Sequence, residues 1–153
     1  MAGERNITMG KVGGSVEIKV PVESVIDFLE DWHNAEKWYE GIHDWKPTTE
    51  NTTGDGARFS YKVKDLGIET RYETEMYDHA KNKEFRLESI EGPKVDEHYQ
   101  FYPIKDGTRV TYTMDYDVPL PIVGSLLDVL YFRSLWEKRV QKSLQNLKRL
   151  LEN

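Results

Sequence analysis

The chain has 153 residues, of which 38 % are hydrophobic, 12 % aromatic and 31 % charged, and its formal net charge is −6. This length is that of one ordinary domain, so we expect residues 1–153 to form a single domain around one core. An acidic surface without a cluster of Lys and Arg argues against nucleic acid as a partner. The absence of cysteine excludes disulfides, thiol catalysis and thiolate metal sites.

The first ten residues, "MAGERNITMG", contain no apolar segment of the kind found in secretory signals. We therefore expect a cytoplasmic protein.

The N-terminal third predicts one strand followed by two short helices. Residues 15–20 alternate apolar and charged side chains, which is typical of a half-buried strand. Pro21 ends this strand, and apolar residues then recur at helical spacing from Val22 to Leu29. Asn34 is a candidate cap for a second short helix over residues 35–41.

From there to Asp117 the apolar residues recur at every second position, which predicts a series of strands. Short turn signals such as "DLG" and "KDG" separate these strands, so neighbours must run antiparallel. A less regular strand is expected at residues 43–49. The inward face is predicted to carry these residues: Ala57, Phe59, Tyr61, Val63, Ile68, Thr70, Tyr72, Thr74, Met76, Phe85, Leu87, Val95, Tyr99, Phe101, Val110, Tyr112, Met114 and Tyr116.

The last part of the chain predicts a long amphipathic helix that ends near Leu151. Its apolar residues recur at steps of three and four, and it is expected to begin at Pro121 or at Ser125, where Ser125 and Asp128 resemble a capping box. Because the apolar face of an antiparallel sheet needs a cover, we expect this helix to pack across the sheet.

Residues 118–132, "VPLPIVGSLLDVLYF", form the most apolar stretch of the chain. It is too short to span a membrane, so membrane contact is expected to be transient at most. One hypothesis is a gate with a hinge at Gly124, a lip of Leu120, Ile122 and Val123, and an inner wall of Leu126, Leu127 and Leu130. The alternative is a fixed plug at the open end of the sheet.

The order of these elements resembles the SRPBCC superfamily, which includes START-related lipid-binding domains and polyketide cyclases/dehydrases. The resemblance is carried by "GGSVEIKVPVESVIDFLED", "EKWYEGI", "DGTRVTYTMDYDVPLP" and "SLQNLKRLLEN". It implies an α+β helix-grip fold, in which a curved antiparallel sheet of about seven strands wraps around the C-terminal helix. It also implies a cavity between the two that binds or carries a hydrophobic small molecule such as a lipid, polyketide or quinone.

Two other classes of function stay open: a polyketide aromatase/cyclase or dehydratase that uses the same cavity, and an interaction module with a negligible cavity. An enzyme would need an acid–base group inside the cavity. Glu97 alternates in step with the inward-facing residues of its strand, so its side chain is expected to point into the cavity. Arg133 lies on the apolar stripe of the helix, between Val129 and Trp136, and could pair with Glu97 or hold an anionic ligand head. The alternatives are that a bulge turns Glu97 to solvent and that Arg133 reaches the helix edge. The residues predicted to contact the ligand are Tyr72, Thr74, Tyr99, Tyr112, Met114, Tyr116, Leu126, Leu127, Leu130 and Trp136.

No metal or cofactor is expected. His33, Glu36, Glu40 and His43 lie close in sequence, but a break between their two segments gives no firm ligand geometry. The sequence has no nucleotide-binding or serine-hydrolase motif. We expect a monomer or a weak dimer.

Overall fold

The computed structural model describes residues 9–118 and 126–153, and these residues form an α+β fold. Three helices are α1 (Val22–Glu30), α2 (Ala35–Trp38) and α3 (Leu126–Glu152), and a 3₁₀ turn at Trp32–Asn34 leads into α2. The seven strands are β1 (Met9–Ile18), β2 (Ile42–Pro47), β3 (Arg58–Asp65), β4 (Ile68–Ala80), β5 (Glu84–Glu91), β6 (Val95–Ile104) and β7 (Gly107–Asp117).

All seven strands belong to one antiparallel sheet in the order β1-β7-β6-β5-β4-β3-β2. Consecutive strands from β2 to β7 are neighbours, and β1 closes the order by pairing with β7. The predicted helix-grip fold is therefore confirmed. The C-terminal helix also begins and ends close to its predicted limits.

Strand β1 begins six positions before the alternating segment that predicted it. Its early residues include three glycines, which give no hydropathy signal although they pair in register with β7. At Gly10 the reason for glycine is a close approach, since a Cβ atom there would lie 2.4 Å from the ring of Tyr116. The absence of a side chain thus lets Tyr116 occupy the inner face.

The core lies between the inner face of the sheet and α3. Most residues of the predicted inward face are buried, while Ile68 and Thr70 near the start of β4 are only partly covered. Among the described side chains of α3, five apolar ones are buried: Phe132, Trp136, Val140, Leu144 and Leu147. Burial of these large apolar side chains is the main stabilising contribution, because each removes apolar surface from water.

Asn34 does not cap the second helix, contrary to the prediction. It precedes α2 but makes no side-chain cap hydrogen bond, and its Nδ2 instead donates to the carbonyl oxygen of Phe28 at 2.9 Å. The capping side chain is Asp31, whose Oδ1 accepts from the backbone N–H of His33 at 3.1 Å. The 3₁₀ turn already gives Asn34 a helical backbone, so a cap is needed only where that turn begins.

Part of the apolar stretch at 118–132 lies outside the described residues. This part includes Leu120, Ile122, Val123, Gly124 and Ser125, so the predicted gate and capping box fall there. Among the described residues, Val118 and Phe132 are buried, whereas Tyr131 is 57 % exposed. Within the ranges that the structure covers, no helix is long and apolar enough to cross a membrane.

Candidate ligand-binding site

A cavity lies between the inner face of the sheet, the two short helices and the first half of α3. The volume of this cavity is about 70 Å³. The cavity is therefore narrow compared with sites that hold a small-molecule ligand. Its described lining is Leu29, Glu30, Trp32, Ala35, Trp38, Tyr39, Ile42, Trp45, Thr52, Phe59, Tyr61, Val63, Tyr72, Met76, Phe85, Leu87, Val95, Glu97, Tyr99, Met114, Tyr116, Asp117, Phe132 and Trp136.

Stacked aromatic rings form the wall on the β2–β4 side. Trp45 stacks on both Phe59 and Tyr61, each at a centroid distance of 5.1 Å, and Tyr61 stacks on Tyr72 at the same distance with an angle of 8° between the rings. Because stacked rings hold each other in place, this wall presents a rigid apolar surface to the cavity.

A second group of aromatic side chains lies over the neighbouring strands β5 and β6. Phe85 stacks on Tyr99 at 4.6 Å, and Trp38 of α2 meets Tyr99 edge-on at 6.2 Å. Trp38 and its neighbour Tyr39 are also in edge contact. The short helix α2 thus brings two rings over the middle of the sheet.

Glu97 lies on the inner face of β6 and is only 5 % exposed. Its Oε1 accepts hydrogen bonds from the hydroxyl groups of Tyr112 at 2.5 Å and Tyr99 at 3.3 Å. A further hydrogen bond joins the hydroxyl groups of Tyr112 and Tyr39. Because the proton of Tyr112 is committed to the carboxylate, Tyr39 donates to Tyr112 when Glu97 is ionised.

Burial raises the pKa of Glu97 from an ordinary value of 4.5 to about 7, although the hydrogen bonds from Tyr112 and Tyr99 act in the opposite direction. Burial also raises the pKa of Tyr39, Tyr99 and Tyr112 well above the usual value for tyrosine. The cavity therefore contains one group that exchanges protons near neutral pH, next to hydroxyl groups that stay protonated.

An ion pair under α3 fixes the helix beside this cluster. Asp65 is 1 % exposed and pairs with Arg139, which also lies over the ring of Trp136 at 5.0 Å. The indole N–H of Trp136 donates to Asp65 at 3.4 Å. Burial raises the pKa of Asp65, and the charge of Arg139 opposes that change. The hydrogen bond to Asp65 and the contact with Arg139 hold the ring of Trp136 in the cavity wall.

Five of the ten predicted ligand-contact residues line the cavity: Tyr72, Tyr99, Met114, Tyr116 and Trp136. Thr74 and Tyr112 are buried on the same face without lining it, and Tyr112 reaches the cavity through Glu97. Leu130 is 51 % exposed, so it does not form the expected inner wall. The side chains of Leu126 and Leu127 lie outside the described part of the chain. Ligand contact at any of these positions stays a prediction.

The two candidate catalytic residues are not brought together. Glu97 points into the cavity, and no bulge turns it to solvent. Arg133 is exposed and forms an ion pair with Glu137 at 3.2 Å on the outer side of α3. Arg133 therefore does not pair with Glu97 in this structure, because Phe132 occupies the inward position of that helical turn, while a contact of Arg133 with an anionic ligand stays a prediction.

Several contributors to the site were missing from the sequence prediction, among them Tyr39 and Trp45. Tyr39 follows a short helix with little periodicity, so nothing in the sequence marks its side as inward. Trp45 lies in β2, where the pairing with β3 shifts register between His43 and Lys46, and Asp44 has a positive φ of 55°. This irregularity breaks the alternation of apolar residues that revealed the other strands. Among the described residues, no group of three acidic or histidine side chains could hold a metal ion.

Comparison with known proteins assigns the family. Residues 9–152 match the model of the family described as polyketide cyclase / dehydrase and lipid transport. The chain belongs to this family, which confirms the resemblance to the SRPBCC superfamily. No curated protein sequence matches the chain.

Solved structures with the same fold are distant in sequence. The protein TTHA0849 from Thermus thermophilus is 24 % identical, with a TM-score of 0.79 over 93 % of this chain and 97 % of that protein. A START superfamily protein from Mycobacterium smegmatis is 19 % identical, with a TM-score of 0.69 over 92 % and 98 % of the two chains. The di-domain ARO/CYC StfQ from the steffimycin biosynthetic pathway is 14 % identical, with a TM-score of 0.76 over 99 % of this chain and 53 % of StfQ.

Proposed function

We propose that this protein binds or carries a hydrophobic small molecule in the cavity between the sheet and α3. The observation that carries the proposal is the composition of the lining, which is mostly aromatic and aliphatic and has a few buried polar groups around Glu97. Small-molecule sites typically combine an apolar concave surface with a small number of polar groups that orient the ligand. The family description, which includes lipid transport, supports the same class of function.

The narrowness of the cavity has a consequence for binding. Ligands of ordinary size need several hundred cubic ångströms, so the walls must separate when one enters. The aromatic stack on β2–β4 lies on the sheet, whereas Trp32 and Trp38 belong to short helical segments. We therefore assign the required movement to these segments and to the beginning of α3.

A fluorescence titration with the neutral probe N-phenyl-1-naphthylamine tests the proposal. The probe should bind the folded protein at one site with micromolar affinity or better. Met114→Trp places a bulkier side chain in the cavity and should weaken binding by about tenfold or more. Asp115→Trp is the matched control, because Asp115 is exposed on the outer face of the same strand. Equal binding to both variants, or binding only to unfolded protein, would contradict the proposal.

Native mass spectrometry of protein purified from its own source then addresses the natural ligand. A co-purified hydrophobic molecule should appear as a discrete mass increase that is lost in Met114→Trp and kept in Asp115→Trp.

A second candidate function is acid–base catalysis on a polyketide-like substrate, and the burial of Glu97 favours it. With a pKa of about 7, Glu97 can take a proton from the carbon next to a ketone and return a proton to a hydroxyl group that leaves as water. As Glu97 takes up the proton, the hydrogen bond that it accepts from Tyr99 weakens, and the Tyr99 hydroxyl group can donate instead to the ketone oxygen on which negative charge develops.

A β-hydroxyketone with an aromatic substituent tests this second candidate, because loss of water gives a conjugated enone with a new absorbance band. Wild-type protein should accelerate the elimination, and Glu97→Gln should abolish the acceleration while it keeps probe binding. An unchanged rate in Glu97→Gln, or no acceleration by the wild type, would count against catalysis and leave the binding proposal standing.

A further inference from the structure

Within the proposed binding function, we propose that this cavity selects apolar ligands with a positively charged group, such as a protonated amine, over the matching anions. The inference rests on the charges that line the cavity and on the aromatic faces between them.

The charged residues of the lining are all acidic. Glu30, Glu97 and Asp117 line the cavity, and no Lys, Arg or His is found among its described lining residues. An anionic ligand entering this cavity would meet carboxylates of its own sign without a compensating charge, which is costly in an apolar site.

The basic residues near the cavity already have acidic partners. Arg139 pairs with Asp65 under α3, and His79 contacts Glu30 at 2.7 Å through its Nε2. His79 thereby compensates Glu30 when it is protonated, whereas no basic residue of the described ranges faces Glu97. Glu97 is therefore the carboxylate best placed to serve as the counter-ion of a bound cation.

Two polar atoms of the lining are open to a ligand. The hydrogen bonds from Tyr112 and Tyr99 both end on Oε1 of Glu97, the hydroxyl group of Tyr39 lies close to the same carboxyl group, and no hydrogen bond to Oε2 is found within the described ranges. The Oδ1 atom of Asp117 is buried and has no hydrogen-bond partner within the described ranges. A buried acceptor without a donor is unfavourable, and the N–H groups of an ammonium ion would supply donors at both positions.

The aromatic side chains of the cavity are suited to the same ligand. Tyr61, Tyr72, Trp45 and Trp38 line the same cavity as Glu97. The electron-rich face of an aromatic ring attracts a cation that approaches it closely. A positive group between these rings and Glu97 would gain both interactions, whereas a carboxylate or phosphate would lose both.

Binding of a cation should also depend on pH, because an ionised Glu97 attracts it more strongly than a protonated one. Several neighbouring groups influence the ionisation of Glu97. Comparison with Glu97→Gln isolates the part of the pH dependence that comes from Glu97 itself. The groups that interact with Glu97 are Asp96 and Tyr99 on β6, Tyr112 on β7, Tyr39 after α2, Tyr61 on β3 and Tyr72 on β4.

Calorimetric titration with 2-naphthylmethylamine, 2-naphthylmethanol and 2-naphthoate tests the inference, because the three compounds share one ring system and differ in charge. At pH 8 the amine should bind at least about tenfold more tightly than the alcohol, and the carboxylate should bind more weakly than the alcohol. The preference for the amine should decrease at pH 6. In Glu97→Gln the preference for the amine over the alcohol should fall to within about threefold and should no longer depend on pH. The control Glu88→Gln, which changes the exposed face of β5, should behave as the wild type.

The outcomes distinguish the inference from the function on which it rests. Equal binding of amine and alcohol, or tighter binding of the carboxylate, would overturn the charge selectivity and leave hydrophobic binding intact. A preference for the amine that persists in Glu97→Gln would overturn the role of Glu97 as counter-ion. If none of the three compounds and no neutral probe binds, both the binding function and its selectivity are wrong.

Discussion

Replacing Glu97 with Gln removes the buried ionisable group of the cavity while it keeps the shape of the side chain. The Oε1 atom of the amide can still accept the hydrogen bonds of Tyr112 and Tyr99. The substitution therefore isolates the free energy associated with ionising a carboxyl group among apolar side chains.

The size of that free energy follows from the change in pKa. The folded protein holds the proton of Glu97 more tightly than the unfolded chain does, because its pKa rises from 4.5 to about 7. Such a difference corresponds to about 3 kcal/mol of stability, to within a factor of two. This contribution is fully present below pH 4.5, decreases as the pH rises towards 7, and is absent above that pH.

Urea denaturation of the wild type and of Glu97→Gln between pH 4.5 and 8 measures this contribution. The free energy of unfolding of the wild type should fall relative to that of the variant by about 3 kcal/mol as the pH rises. The absolute stability of Glu97→Gln depends also on how its amide N–H groups are satisfied, so the relative slope is the decisive quantity. All other ionisable groups are the same in both proteins, so their contributions cancel in the difference.

Glu88→Gln is the matched control, because it removes a carboxylate from an exposed position and should leave the slope of the wild type almost unchanged. Parallel pH profiles for the wild type and Glu97→Gln would refute the reasoning, since they would mean that Glu97 ionises as easily in the folded protein as in the unfolded chain.

Three further predictions concern the parts of the fold that frame the cavity. Arg139→Met should destabilise the protein by about 3 kcal/mol in urea denaturation at pH 7, because it leaves Asp65 buried without its cation, and a loss below about 1 kcal/mol would show that the pair is dispensable. Gly10→Ala should cost about 1–3 kcal/mol by the same measurement, because the new methyl group would displace the ring of Tyr116, whereas an unchanged stability would show that the ring moves freely. If residues 120–125 form the gate that the sequence suggests, their amides should exchange hydrogen quickly in the empty protein and slowly with bound N-phenyl-1-naphthylamine, and equal protection in both states would indicate a fixed plug.

The strands could be predicted from the sequence because the residues of their inner and outer faces differ clearly in polarity. In β7 the inward residues Val110, Tyr112, Met114 and Tyr116 are all buried, and the positions between them are at least partly exposed. An antiparallel sheet with one covered face imposes this alternation at every position, so each strand reports its own orientation.

The first half of α3 was more difficult to predict, because a helix face is broader than a strand face. Arg133 lies four residues after Val129 and three before Trp136, so its spacing is compatible with the inward stripe. Phe132 lies about 100° away on the same turn and is almost completely buried. Near the mouth of the cavity the larger apolar side chain takes the inward direction, and Arg133 turns to solvent and to Glu137.

The alternation of residues along one strand predicts where the side chain of Glu97 points, but it does not predict its pKa. Its inward direction follows from the positions of Val95 and Tyr99 on the same strand. The pKa of Glu97, in contrast, is raised by burial under other elements, and the hydroxyl groups that oppose this rise also come from elsewhere: Tyr112 lies on β7 opposite Tyr99, and Tyr39 reaches the cluster from the end of α2. The register between β6 and β7 and the docking of α2 are properties of the folded chain. The same packing that assembles these hydroxyl groups also removes water from the carboxyl group, so the acid–base character of the site arises with the tertiary structure.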